Sequence, residues 1–139
     1  MTLRTILKPI PEGAINMGLT HVAVRLFNSK SSDTYEAEFL VDTGAMDTMA
    51  PAFELKKIGM QPLGKDIYEM ANGEIVEYEY GNAELTFMGA QVVPVRIIFG
   101  PDNCGPLLGV VALETAGFIV DPKNQTLRKL RARPLKRVA

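Results

Sequence analysis

The chain has 139 residues, of which 47% are hydrophobic and 22% are charged, which is typical of one soluble globular domain with its own core. Its formal net charge of −1 gives the protein as a whole no electrostatic basis for binding nucleic acid or an anionic membrane, and no segment is apolar enough for a membrane span or a signal peptide. The single cysteine, Cys104, excludes an internal disulfide and fits a reducing compartment, so we expect a cytoplasmic protein.

Alternation of apolar and polar residues, interrupted by turn residues, is the recurrent pattern along the chain and predicts strands. The predicted strands are, in chain order, 20–27, 35–41, two runs on either side of Asn72-Gly73, 83–88, 91–99 and a final hairpin over 118–130. The dipeptide Asn72-Gly73 is a strong hairpin signal. Pro94 suggests that its strand lies at a sheet edge or a bulge.

Two short helices are predicted between these strands. Residues 51–59 begin with proline and end with glycine, and residues 110–117 follow a short apolar stretch and also end with glycine. The sequence contains no internal repeat. We therefore predict a mainly β fold with two short helices.

The stretch "FLVDTGAMDTMAP", residues 39–51, leads an apolar run straight into Asp42-Thr43-Gly44-Ala45 and a second carboxylate at Asp47. A carboxylate at the end of such a run is costly to desolvate unless it is hydrogen-bonded or paired. Asp-Thr-Gly alone is weak evidence, because these residues are common in turns. Its context is more specific, since an Asn-Gly hairpin and then Leu107-Leu108-Gly109 before a helix follow in order.

This order of motifs, over about residues 20–130, resembles the retropepsin-like aspartic proteases, a single-domain family that includes retroviral proteases and bacterial relatives. The resemblance implies a closed, β-barrel-like domain, equivalent to half of pepsin, with a flap hairpin and one or two short helices, active as a homodimer. It implies that residues 1–139 form a single domain, with the protease part at 20–130 and a basic tail at 131–139. No cofactor and no metal are implied.

The resemblance also implies roles for individual residues. Asp42 matches the catalytic aspartate, Thr43 matches the threonine whose hydroxyl locks the two active-site loops across the dimer, and Gly44 completes the catalytic tripeptide. The residues implied to bind substrate are Ala45, Met46, Asp47, Met49, Ala71, Asn72, Gly73 and Leu107.

The chemistry of this family requires two carboxylates near one water. Like charges at that distance cannot both ionise, so the pair shares a proton; the ionised acid takes a proton from water, and the neutral acid polarises the scissile carbonyl. Because the chain carries one Asp-Thr-Gly, two copies must each supply Asp42 about a two-fold axis. The prediction is an aspartic endopeptidase acting on peptides or proteins. The alternative is a homodimer of the same fold that binds peptides without cleaving them.

Other residues leave alternatives open. Asp47 suits a substrate or turn contact, or else is a plain solvated carboxylate. His21, the single histidine, and Cys104 form a possible nucleophile pair, but a strand-surface histidine is favoured. The basic C-terminal residues suggest nucleic-acid or membrane binding, but a solvated tail is favoured and neither partner is expected.

The sequence departs from the retroviral pattern at two positions. Retroviral relatives typically have an aspartate at the position of Met46 and an arginine at that of Val110, and these two side chains pair. Since replacing both partners by apolar groups avoids an unpaired charge, we expect apolar packing around Met46 and Val110 to join the loop to the helix. Backbone groups or Asp47 are then expected to contact the substrate backbone.

Overall fold

The computed structural model describes residues 20–121, 123–124 and 126–132. Within them the chain forms nine strands and two short helices. The elements, in chain order, are β1 Thr20–Phe27, β2 Thr34–Val41, β3 Thr48–Pro51, α1 Ala52–Lys57, β4 Gly64–Glu69, β5 Ile75–Phe87, β6 Val93–Gly100, β7 Leu107–Leu108, α2 Val110–Ala116, β8 Phe118–Asp121 and β9 Thr126–Lys129.

Seven of the strands form one sheet in the order β1-β2-β7-β3-β6-β5-β4, and β1 also pairs with β5. That additional pairing closes the sheet on itself, because β1 and β5 lie on opposite sides of the strand order. Strands β8 and β9 form a separate antiparallel pair. The predicted mainly β, barrel-like fold with two short helices is confirmed.

The core fills the inside of this closed sheet. In β1 the buried hydrophobic residues are Val22, Val24 and Leu26, which follow the period of two that the sequence shows. The helices add Leu55 from α1 and Leu113 from α2, both almost fully buried.

Strand β5 differs from the prediction, because the run after Asn72-Gly73 and the strand predicted over 83–88 form one continuous strand. The strand runs unbroken for 13 residues and pairs in succession with β4, β6 and β1. Gly81 serves close packing instead, since a Cβ there would lie 3.2 Å from the Phe99 ring and 3.3 Å from the Gln61 carbonyl oxygen. Glycine therefore occupies position 81 because there is little room for a side chain, and the strand does not change direction there.

Pro94 lies near the start of β6, a strand inside the sheet. At that point the strand pairs with β5 alone, because its pairing with β3 begins only at Ile97. Pro94 thus occupies a local edge, which agrees with its lack of a backbone N–H.

No helix in the part of the chain that the structure describes is long and apolar enough to cross a membrane. The cytoplasmic location and the division into residues 20–130 and a tail stay predictions. The first 19 residues and most of the basic tail lie outside the described residues.

Candidate active site

The loop that joins β2 to β3 carries Asp42. Strand β2 pairs in parallel with β7, with Leu40 opposite Leu107 and Val41 opposite Leu108. The backbone N–H of Asp42 then donates to the Leu108 carbonyl oxygen at 3.0 Å. Asp42 therefore lies where the pairing of β2 with β7 ends, and it is hydrogen-bonded to the fully buried Leu108.

Local hydrogen bonds orient the Asp42 carboxylate. Gly44 N–H donates to Asp42 Oδ1 at 2.9 Å, and Ala45 N–H donates to the Asp42 carbonyl oxygen at 3.1 Å. A Cβ on Gly44 would lie only 3.3 Å from the same Oδ1. This turn offsets the desolvation of a half-buried acid after an apolar strand and defines where its oxygens lie.

The same loop is joined to α2 by main-chain hydrogen bonds. Val110 N–H donates to the Ala45 carbonyl oxygen at 2.8 Å, and Val111 N–H donates to that of Met46 at 3.2 Å. The first N–H groups of a helix have no acceptor within the helix, and the loop carbonyls supply one. The Met46 side chain is 69% exposed. The prediction that apolar packing around Met46 and Val110 makes this joint is therefore wrong for the single chain.

Gly109, between β7 and α2, completes the joint. Its N–H donates to the hydroxyl of Thr48 at 3.1 Å, and Thr48 is only 1% exposed. A Cβ on Gly109 would lie 2.6 Å from the Asp47 carbonyl group and from the Met46 carbonyl oxygen. The active-site loop thus lies directly against the backbone of Gly109.

Replacing Thr48 by valine is expected to lower the free energy of unfolding by about 1–2 kcal/mol, because the buried Gly109 N–H loses its acceptor while the side-chain shape is kept. Urea denaturation at fixed protein concentration measures the change. Thr126→Val, the same substitution at an exposed strand position, is the control and should stay within about 0.5 kcal/mol of the parent protein. Equal effects at both positions would contradict a role for the hydroxyl.

Asp42 lines a cavity of about 710 Å³ between the active-site loop and the β4–β5 hairpin. The residues that line it are Asp42, Gly44, Ala45, Met46, Asp47, Met49, Asp66, Ile67, Tyr68, Glu69, Met70, Ala71, Tyr78, Arg96, Ile98 and Leu107. Of the site residues predicted from the sequence, Thr43, Asn72 and Gly73 are not in this lining. The structure brings all the others together around one cavity.

The tip of the β4–β5 hairpin is a tight turn. Met70 N–H donates to the Glu74 carbonyl oxygen at 2.8 Å, and Gly73 N–H donates to that of Met70 at 2.8 Å. Gly73 has φ 87°, a left-handed conformation that favours glycine. Glu74 N–H donates to Asn72 Oδ1 at 2.9 Å. Asn72 and Gly73 therefore build the turn, and Ala71 is the one tip residue predicted to bind substrate that lines the cavity.

Sequence reasoning missed the wall of the cavity that strands β4, β5 and β6 supply. On β6 the lining residues Arg96 and Ile98 alternate, whereas β4 lines the cavity with the consecutive residues 66–69 and β5 contributes Tyr78. That alternation is visible in the sequence, but it does not say which face meets the active-site loop. The pairing of β4 with β5 and of β5 with β6 decides this.

Asp47 is held by this wall and is not a solvated carboxylate, nor does its side chain close a turn. Only 13% of the side chain is exposed. The Tyr68 hydroxyl donates to Asp47 Oδ2 at 3.2 Å, and Arg96 Nε lies 3.6 Å from the same oxygen. Burial raises the pKa of the Tyr68 hydroxyl above its ordinary value, so Tyr68 stays protonated and able to donate at neutral pH.

The geometry gives no support to thiol or metal chemistry near the cavity. Burial raises the pKa of the Cys104 thiol, which disfavours the reactive thiolate. Over residues 20–121, 123–124 and 126–132, no group of three or more His, Cys, Asp or Glu side chains is arranged to bind a metal ion.

Comparison with known proteins shows what the chain is similar to. The family model described as aspartyl protease matches residues 27–111, which include the Asp42 loop, the hairpin and Leu107-Leu108-Gly109. A search of curated proteins finds no significant match.

Two solved structures are similar to the fold. One is the crystal structure of a retropepsin-like aspartic protease from Rickettsia conorii, 21% identical, covering 73% of this chain and 76% of that one, with a TM-score of 0.49. The other is EIAV protease complexed with the inhibitor HBY-793, 13% identical, covering 73% of this chain and 88% of that one, with a TM-score of 0.47.

The family match extends over more than half of the chain and includes the loop that places Asp42 in the cavity. The chain therefore belongs to the aspartyl protease family, as the order of its motifs predicted.

Proposed function

We propose that the protein is an aspartic endopeptidase whose active site contains Asp42 from each of two subunits. The observation that carries the proposal is the position of Asp42, held by the Leu108 carbonyl and Gly44 N–H in the lining of a cavity of about 710 Å³. A cavity of this size accepts several side chains of a peptide. Membership of the aspartyl protease family supports hydrolysis as the reaction.

In the proposed reaction the two carboxyl groups of the dyad hold one proton between them. The ionised group takes a proton from a water molecule, whose oxygen attacks the carbonyl carbon of the scissile bond, while the neutral group donates its proton to the carbonyl oxygen. The acid that took the proton from water then donates it to the leaving nitrogen, the other acid takes a proton from a hydroxyl of the tetrahedral intermediate, and the C–N bond breaks, so that the dyad again holds one proton. The dyad titrates as one unit, because its two acids are strongly coupled.

We propose a second chain as the source of the other acid because Asp-Thr-Gly occurs once in the sequence and the two other aspartates of the cavity are already paired. Asp47 is already bound by Tyr68 and Arg96, and Asp66 is bound by Arg96. A two-fold axis that places two Asp42 side chains together supplies the second acid. We propose that the Thr43 hydroxyl bonds across this axis, which agrees with its position outside the cavity lining.

The β4–β5 hairpin, over about residues 68–80, is proposed to act as a flap over the bound peptide. Residues 69–75 at its tip are exposed, and the tip joins the paired strands β4 and β5. Lids of this kind exclude water and complete a site. The proposed substrate contacts are those that line the cavity, Ala45, Met46, Asp47, Met49, Ala71 and Leu107, together with Asn72 and Gly73 at the tip. Both contacts to Asp47 are to Oδ2, so Oδ1 is the atom we propose for accepting a substrate N–H.

The proposal is tested by cleavage of a peptide library at a series of protein concentrations, with sedimentation at the same concentrations. Activity per mole of protein should fall steeply as the dimer dissociates, because one chain supplies one acid of the dyad. A transition-state analogue should shift the equilibrium back to the dimer. Full activity from a monomer would contradict the mechanism.

A further inference from the structure

Arg96 connects three parts of the molecule around the cavity. It lies on β6, and its Nη2 donates to Asp66 Oδ2 on β4 at 2.8 Å. Its Nε lies 3.6 Å from Asp47 Oδ2, at the end of the active-site loop. The guanidinium carbon is 3.7 Å from the centre of the Tyr80 ring on β5. We refer to Asp47, Asp66, Tyr68, Tyr80 and Arg96 as the Arg96 cluster.

Two residues of β4, Gly64 and Tyr68, help to position the Arg96 cluster. A Cβ on Gly64 would lie 3.0 Å from the Tyr80 hydroxyl, so the glycine leaves room for the ring on which Arg96 stacks. Tyr68 follows Asp66 by two residues on β4, faces the same side, and donates to Asp47. Strand β4 is therefore connected to the active-site loop in two ways. Tyr68 donates directly to Asp47, and Asp66 accepts from Arg96, which also lies next to Asp47.

The cluster also sets the charge in the part of the cavity that Asp47 and Asp66 line. Without Arg96, the Asp47 and Asp66 carboxylates would face the cavity unpaired, and a nearly buried carboxylate such as Asp47 would favour a cation. With Arg96 in place, both charges are compensated. The large aliphatic and methionine residues of the lining are Met46, Met49, Ile67, Met70, Ile98 and Leu107, and its acidic residues outside the cluster are Asp42 and Glu69.

We propose that Arg96 is a specificity-determining and positioning residue: it compensates the negative charges of Asp47 and Asp66, so that the adjoining part of the cavity accepts an uncharged apolar side chain in preference to lysine or arginine, and it holds β4 against the active-site loop. This inference rests on the proposed function, because the ligand is a peptide. Arginine suits the role better than lysine, since its planar group can bond two carboxylates and stack on a ring at once.

The experiment compares peptides that differ only in having norleucine or lysine at one position, scanned along a sequence that the parent protein cleaves. Arg96→Gln should raise kcat/KM for the lysine peptide relative to the norleucine peptide by about tenfold or more at the position that meets the cluster. Arg96→Lys keeps the positive charge and should restore most of the parent preference. Arg25→Gln, which removes an arginine paired with Glu36 on an exposed strand, is the control and should change nothing.

Amide hydrogen exchange on the free protein gives a second readout that needs no substrate. Arg96→Gln should speed exchange at residues 66–70 severalfold, because β4 loses one of its two ties to the loop, whereas Arg25→Gln should leave it unchanged. Unaltered peptide preference and unaltered exchange in Arg96→Gln would overturn the role of Arg96. A parent protein that cleaves no peptide in the library would instead overturn the proposed function, and exchange would still decide whether Arg96 positions β4.

Discussion

Replacing Asp42 by asparagine is expected to lower kcat for peptide cleavage by at least about 10³-fold while leaving the fold intact, because the dyad loses its proton-accepting groups. Asparagine has nearly the same shape, and its side-chain oxygen can still accept the Gly44 N–H that now binds Asp42 Oδ1. Structure and stability should therefore change little. The measurement is steady-state cleavage of the best library peptide, with circular dichroism and sedimentation on the same samples.

Asp102→Asn provides the matched control for this variant. Asp102 is exposed and lies outside the cavity lining, so the same chemical change there should leave kcat unchanged. Cleavage that survives in Asp42→Asn would refute the proposed role of Asp42. Peptide binding without cleavage by both the parent protein and Asp42→Asn would instead identify a peptide-binding homodimer, the alternative that the sequence left open.

Replacing Gly109 by alanine is expected to lower the free energy of unfolding by about 3 kcal/mol, because the added methyl group has no room. It would lie 2.6 Å from the backbone of Asp47 and Met46, and a backbone cannot move aside as the end of a flexible side chain can. The backbone φ of Gly109 is −84°, which any residue adopts, so the effect is steric. Displacement of the active-site loop should also lower kcat, since a catalytic group must be placed to within about 1 Å.

Gly105→Ala is the control, because no atom lies within 4 Å of a Cβ at that position. It should change stability by no more than about 0.5 kcal/mol. Urea denaturation of both variants at several protein concentrations separates assembly from folding. A Gly109→Ala protein as stable as Gly105→Ala would show that the loop does not lie against Gly109 in solution.

The sequence by itself determined the features that depend on neighbouring residues. The strand that ends at Asp42, the turn at Asn72-Gly73 and the two short helices were predicted because alternation, turn chemistry and helix ends are local signals. The order of the Asp-Thr-Gly, hairpin and Leu-Leu-Gly motifs predicted the aspartyl protease family, which the family match shows. It also named eight of the residues that line the cavity.

Local signals failed where packing against distant residues decides the outcome. Two separate strands were predicted on either side of Gly81, but the strand is continuous there, and the nearby Phe99 ring explains the glycine. The joint between the loop and α2 was expected from the side chains of Met46 and Val110. Hydrogen bonds from helix N–H groups to loop carbonyls form the joint instead. Because nearly every residue type carries these main-chain groups, the sequence does not indicate which of them will pair.

Only the tertiary structure decided the surroundings of Asp47. Its partners, Tyr68 and Arg96, lie 21 and 49 positions further along the chain, and no periodicity relates them. They meet because β4 and β6 both flank β5, and because β6 also flanks β3, which follows Asp47 directly. From the sequence, a charged residue next to a turn is expected to be exposed to solvent. In the fold, three strands bury the Asp47 carboxylate, and a buried carboxylate has a lower free energy when it is paired with a cation.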